Sequence, residues 1–381
     1  MKTEKKKFVI RLFNCLIVLF PFSSASAFVE NVTHGYVNCT SCHVSPTGGG
    51  LLTSYGRSLS RELMSTWGWE NSEAPLFGAL NLPESVKLGG DFRTIQTRFE
   101  NSQIKQGQQF EMQKNLELGL ILGQVQFVGT LGRQEGPDAT PGKGEFLSER
   151  HYLLWDLTEE IKLRAGKFRL AFGLNDPNHT RVTKQAIGFG SNSESYILEL
   201  AKFSDEGELF ISADLGQLDI PGNQILEKSI SATYSRYLTD ESKAGISYLL
   251  GENASRRRSL LGIHGVSSLT KKLLIKFESA FQQTFAIANP QEITSATKTE
   301  LLALVATLGY EATKGVLPYL VAEQLQSDLT DRLSQRSSLG VGIQWLPLPH
   351  FELQAEYKKQ DNKVDPEPKS DSGWLIFHFY L

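Results

Sequence analysis

From Val86 to the end of the chain, apolar and polar residues alternate with period two in segment after segment. Phe110, Met112, Leu116, Leu118, Leu120 and Leu122 share one face of the stretch 109–122. Leu273, Ile275, Phe277 and Phe281 repeat the pattern, as do Leu302, Leu304, Ala306, Leu308 and Tyr310. Leu339, Val341, Ile343 and Trp345 form another set, and Phe351, Leu353, Ala355 and Tyr357 the next. Such alternation sets one face of a strand against a nonpolar medium and the other against a polar one. It predicts about 16 strands, starting near 87, 109, 124, 146, 160, 193, 207, 226, 242, 257, 271, 299, 315, 336, 350 and 371.

The connections alternate as regularly as the strands. Tight turns are expected near Gly123, 158–160, 204–206, 239–241, 268–270, 313–314 and 347–349, and longer polar loops at 100–108, 134–145, 173–192, 216–225, 285–298, 327–335 and 361–370. Short turns on one rim and long loops on the other are the habit of outer-membrane barrels, whose tilted strands need about 9–11 residues to cross. A soluble sandwich would need a Greek-key return connection, and only 173–192 is long enough to supply one. The last residues, Trp374 to Leu381, put Leu375, Phe377, Phe379 and Leu381 on one face. They resemble the C-terminal strand that barrel-assembly machinery recognises, with Leu381 in place of the usual aromatic. The resemblance implies insertion into the outer membrane. The expected fold is therefore all-β: a 16-stranded antiparallel outer-membrane barrel over residues 84–381.

Two stretches precede it. Residues 1–27 combine Lys2, Lys5, Lys6, Lys7 and Arg11 with an apolar run from Leu12 to Phe22 and the small residues Ser23 to Ala27. This reads as a secretory signal peptide; the run is too short to span a bilayer as a helix, and Cys15 within it leaves with the signal. Losing five basic residues and one acid takes the net charge from −3 to −7, which argues against a nucleic-acid partner. Residues 28–83 follow neither pattern. They predict a short helix from Thr53, as N-cap, to about Thr66, with Tyr55, Leu59 and Leu63 at helical spacing and Gly68 past the end. A linker rich in Pro and Gly closes the stretch.

Cys39-Thr40-Ser41-Cys42-His43 is the spacing for covalent haem attachment. Two thiols add across the two porphyrin vinyl groups, and the histidine directly after the second cysteine reaches the iron from the same side. Cys39 and Cys42 as a disulfide, or Cys39, Cys42, His43 and His34 as a zinc site, are the alternatives. Met64 and His34 are the candidates for the sixth haem ligand. Arg57 and Arg61, four apart on the helix, are candidates for the propionates. Gly48-Gly49-Gly50 would allow close backbone approach to a flat ring.

A signal peptide, a monohaem c module of about 50 residues and a barrel together resemble the fused outer-membrane cytochrome–porins of iron-oxidising bacteria, on the strength of Cys39–His43 and the architecture. The resemblance implies one covalent haem c in or at the barrel, with the short linker allowing the module to plug the lumen. It implies a one-electron oxidoreductase that passes electrons from an extracellular donor such as Fe(II) to a periplasmic electron-transfer cytochrome. A passive solute porin carrying a haem for docking or redox sensing is the other reading. A second similarity, in Arg164-Ala-Gly-Lys-Phe168, Ala171-Phe-Gly173 and His179-Thr-Arg181, is to anion- or phosphate-type porins. It implies that the loop 174–192, with His179, Arg181 and Lys184, folds inward as a constriction.

Overall fold

The computed structural model describes residues 31–134, 145–178, 180–190, 193–218, 227–286, 297–363 and 369–381. The expected signal peptide, Cys15 and His179 lie outside them. The strands are β1 (Val86–Glu100), β2 (Lys105–Leu122), β3 (Val125–Gln134), β4 (Glu145–Leu147), β5 (His151–Asp156) and β6 (Ile161–Arg169). Next come β7 (Glu194–Ser204), β8 (Gly207–Asp214), β9 (Lys228–Thr239), β10 (Ser242–Glu252), β11 (Arg256–Thr270) and β12 (Leu273–Ala286). The last are β13 (Thr297–Tyr310), β14 (Val316–Gln326), β15 (Gln335–Trp345), β16 (Phe351–Asn362) and β17 (Lys369–Tyr380). Every pairing between strands is antiparallel, and β17 returns to β1 in register from Asp91↔Tyr380 to Glu100↔Asp371.

β4 and β5 both pair with β3, one at Gly132↔Leu147 and the other at Gly129↔His151, so they form a single interrupted stave. The barrel therefore has the expected 16 staves. The largest error in an expected start is at β2, which begins at Lys105 and not near 109. The break between β4 and β5 at 148–150 was not anticipated. Closure leaves no unpaired edge, which is what lets a sheet sit in hydrocarbon.

The two faces of the wall differ as the alternation requires. Leu122 is 73% exposed and Leu339 66%, whereas Glu199 on the inner face is fully buried. A soluble protein would reverse this; here the apolar exterior is solvated by lipid. Two insertions pack into the lumen. Leu51, from the N-terminal segment, lies in one buried cluster with Tyr152, Phe168 and Leu260 of the wall and Phe172 and Ile187 of the β6–β7 loop. Its methyl groups occupy space kept open by Gly89 on β1 and Gly119 on β2, where a Cβ would lie 2.9 and 2.5 Å from them. Burying one leucine in this way contributes about 2 kcal/mol. Val32 packs similarly with Leu174, Val266, Leu274 and Leu317.

The helix of the N-terminal segment, α1 (Ser54–Leu59), is capped by Thr53 as expected, the hydroxyl accepting from the Gly56 amide at 3.0 Å. It continues as a π turn over Ser60–Met64 and stops there, two residues before the expected end, with Ser65 extended. Tyr55 does not belong to the buried face, being 49% exposed. Gly56 takes that place: a Cβ there would fall 2.2 Å from the Cys42 carbonyl oxygen. The backbone itself is the contact, and only glycine permits it.

Candidate cofactor site

Cys39–Ser41 form a 3-10 turn whose N-cap, Asn38, accepts from the Thr40 amide at 2.8 Å. The His43 amide donates to the Cys39 carbonyl at 3.0 Å, so the two thiols and the imidazole issue from one turn of chain. His43 then pairs with Leu52 as an isolated bridge, and the Val44 amide donates to the Leu51 carbonyl. The hairpin so formed is reversed by Gly48, Gly49 and Gly50, all left-handed with φ of 79, 74 and 66°. A Cβ on Gly48 would come within 3.2 Å of the Cys39 Sγ. The glycine turn thus lies directly against the first thiol.

Both thiols are free, so the disulfide reading is absent from the structure. Among the described residues no three His, Cys, Asp or Glu side chains gather as a metal-binding set, so the zinc reading has no ligand cage. Burial pushes each thiol up to about 11 and the His43 imidazole down to about 4. All three groups are therefore neutral at physiological pH. The His43 Nδ1 lies 3.4 Å from the Gly50 carbonyl, an orientation in which Nδ1 carries the proton and Nε2 keeps its lone pair.

The other sequence candidates separate. His34 pairs through Nε2 with Glu311 at 3.0 Å, just past the end of β13. Met64 is half-buried where the π turn ends, and its carbonyl oxygen would lie 2.6 Å from a Cβ on Gly315. Arg57 is buried and donates to the Leu88 carbonyl on β1, whereas Arg61 is partly exposed and pairs with Glu73 at 3.1 Å. The helix does not hold the two arginines over a common ligand; one ties it to the wall and the other faces away.

The wall residues that grip the hairpin were not candidates in the sequence. Arg164 on β6, 2% exposed, donates to Ser45 Oγ at 2.9 Å and Thr47 Oγ1 at 3.3 Å. Its charge is met by Glu199 at 2.7 Å, and its guanidinium lies 3.7 Å from the centre of the Phe168 ring. Arg150 stands beside Gly49 and Gly50, 3.9 Å from Glu117 and 3.7 Å from Glu149. The signal for such residues is a charge at the inward position of an alternating strand, as in Leu163-Arg164-Ala165.

The β6–β7 loop closes the lumen from the other side. It contains a four-residue helix, α2 (Val182–Gln185), and folds inward as the second resemblance implied. Arg181 forms a bidentate pair with Glu356 on β16 at 3.0 and 2.7 Å. Lys184 pairs with Glu278 on β12 at 2.6 Å, and Asp176 with Lys276 at 2.8 Å. Among the described residues, the loop cations Arg181 and Lys184 are each neutralised by a wall carboxylate.

No family model and no curated protein matches the chain. Its fold is similar to solved outer-membrane proteins. OmpT of Vibrio cholerae superposes with a TM-score of 0.61 at 10% identity, covering 79% of this chain and 100% of that one. An anion-selective porin from Comamonas acidovorans gives 0.60 at 8% identity, covering 78% and 99%. The outer membrane channel DcaP of Acinetobacter baumannii gives 0.56 at 11% identity, covering 78% and 97%. At these identities the likeness is one of architecture, and the architecture is that of a Gram-negative outer-membrane porin barrel.

Proposed function

We propose that this protein transfers single electrons at the outer membrane, through a c-type haem attached to Cys39 and Cys42 and ligated by His43. The observation that carries this reading is the geometry of the attachment turn. Two uncrosslinked thiols and a neutral imidazole leave one turn, beside three residues without Cβ, inside a barrel whose wall holds that turn through Arg164. This donor set suits a haem c. When bound, the haem supplies a one-electron iron couple. Cys39 and Cys42 would hold it covalently, and the Gly50 carbonyl orients His43. For the sixth ligand, His34 would have to leave Glu311, whereas Met64 sits on a helix anchored to the wall by Arg57; Met64 is the better candidate. The resemblance to cytochrome–porins makes an external reductant such as Fe(II) the donor and a periplasmic cytochrome the acceptor.

The porin-like fold favours the second reading, a solute channel that also bears a haem. The two differ in whether the lumen conducts. Reconstituted into liposomes loaded with an oxidised acceptor, the intact protein should let an impermeant external reductant reduce the contents while showing little ion conductance. Cys42→Ala should lose the covalent haem on a denaturing gel, keep the barrel and fail to pass electrons. Equal reduction by both forms, or a large conductance in the intact protein, would establish the channel instead.

A further inference from the structure

The chain leaves the lumen by an unusual route. Ser65 is fully buried, yet the next amides, of Thr66 and Trp67, donate to the carbonyls of Leu346 and Pro347 in the β15–β16 turn, at 2.8 and 2.9 Å. Beyond that turn the segment lies on the outside of the rim. Trp67 packs edge-on against Trp345 at the end of β15, with ring centres 5.9 Å apart. Trp69 stacks at 6.4 Å on Phe351 at the start of β16, and Phe77 at 6.3 Å on Phe379 of β17. Trp345, Phe351 and Phe379 occupy the outward positions of their strands, in line with exposed Ile343, Tyr357 and Leu375. The segment thus steps over the outer face strand by strand before entering β1.

Its length and conformation exceed what a connection needs. Crossing β16 and β17 takes about 15 Å at the ~4.8 Å spacing of strands, whereas Trp67 to Ser85 could extend about 60 Å. The surplus is folded into an apolar lobe. Trp67 and Trp69 remain 55% and 46% exposed, and Leu76 and Leu80 are exposed beside them. Leu76 and Phe77 adopt left-handed φ of 47 and 57°, which costs about 1–2 kcal/mol per residue. That conformation places Phe77 on Phe379 and leaves Leu76 outward. This apolar surface is continuous with the lipid-facing wall at its tight-turn rim, where amphipathic aromatic rings favour the headgroup level.

We propose that the segment Trp67–Leu80 is a foot seated in the headgroup region of the phospholipid leaflet on the tight-turn side, fixing the lumen segment to the membrane as well as to the barrel. This does not depend on the haem. The test uses the full chain with Trp155, Trp345 and Trp374 changed to Phe, reconstituted in phosphatidylcholine vesicles whose acyl chains carry bromine near the carbonyl. Fluorescence of Trp67 and Trp69 should be quenched to an extent comparable with a control that keeps only Trp155, an outward residue at the same rim. Quenching by aqueous acrylamide and not by brominated lipid would overturn the proposal in favour of a surface open to water. Quenching by neither would overturn it in favour of contact with a second copy. If the triple variant fails to fold, Trp67→Phe with Trp69→Phe in the natural chain should remove a lipid-quenchable share of the signal, and an unchanged quenched share would again overturn it.

Discussion

The N-terminal segment and the β6–β7 loop enter one lumen from opposite rims, and different interactions hold them. The loop is fixed by charge: Arg181 to Glu356, Lys184 to Glu278 and Asp176 to Lys276, all largely buried. The segment touches the wall mainly through hydrogen bonds to neutral groups and through packing. Arg57 donates to the Leu88 carbonyl and Arg164 to Ser45 and Thr47, the Leu346 and Pro347 carbonyls accept from the Thr66 and Trp67 amides, the Ser60 hydroxyl meets Tyr380 at 3.1 Å, and Leu51 lies over two glycines. His34 adds a contact with Glu311. Charge pairs tolerate small shifts of position, since the Coulomb energy changes slowly with distance. Backbone hydrogen bonds and glycine clearances do not. The segment that carries the attachment turn is therefore the more strictly placed of the two.

Cutting the charge on the loop side should give the largest change. Arg181→Ala leaves Glu356 buried without its bidentate partner, and such a loss costs about 3–5 kcal/mol. The heat-modifiable gel shift of the folded barrel should move to lower temperature and bilayer conductance should rise. Arg181→Ala combined with Glu356→Gln should recover much of the stability, because no unpaired charge remains. If single and double variants melt together, the loop is not held by this pair.

On the segment side the expected effect is smaller and more local. Thr53 accepts from the Gly56 amide and donates to the Ser41 carbonyl at 3.0 Å, joining the helix start to the attachment turn. Thr53→Ala should cost about 1–2 kcal/mol, read as roughly five- to thirtyfold faster hydrogen exchange at the Gly56 amide. Thr53→Ser should restore protection. Loss of protection across the loop as well would show that the two insertions are not independent.

The smallest effect is a pH dependence confined to the rim. His350, in the β15–β16 turn, donates from Nε2 to the Ser72 carbonyl at 2.7 Å, while its Nδ1 is buried without a partner. Burial, with Arg57 nearby, holds this imidazole below its usual range. A histidine depressed in the fold binds its proton more readily when unfolded. Its contribution is thus present above about pH 6.5, the unfolded value, and is lost as the pH falls below it. Protease cleavage within 66–85 should therefore increase between pH 7 and pH 5. His350→Asn, which tolerates the left-handed φ of 67° at this position, should flatten that response. An unaltered pH profile in the variant would assign the sensitivity elsewhere.

The barrel could be read from the chain because lipid imposes its demand locally. Each lipid-facing position must be apolar whatever its neighbours do, so period two marks every stave and the turns set the count. The Cys39–His43 turn was legible as a candidate for a similar reason, since five consecutive residues make up the motif. Tyr55 was misplaced because helical spacing does not show that the closest contact is made at Gly56, by the absence of a side chain.

What could not be read were the partners. Arg164 meets Ser45 across 119 positions, Arg181 meets Glu356 across 175, and His350 meets Ser72 across 278. Each of these residues follows the ordinary alternation of an inward face or a polar turn, and nothing in its own neighbourhood names its counterpart. Closing the sheet chose them: once β17 met β1, both insertions shared one lumen, and buried charges and carbonyls there had to be satisfied from within.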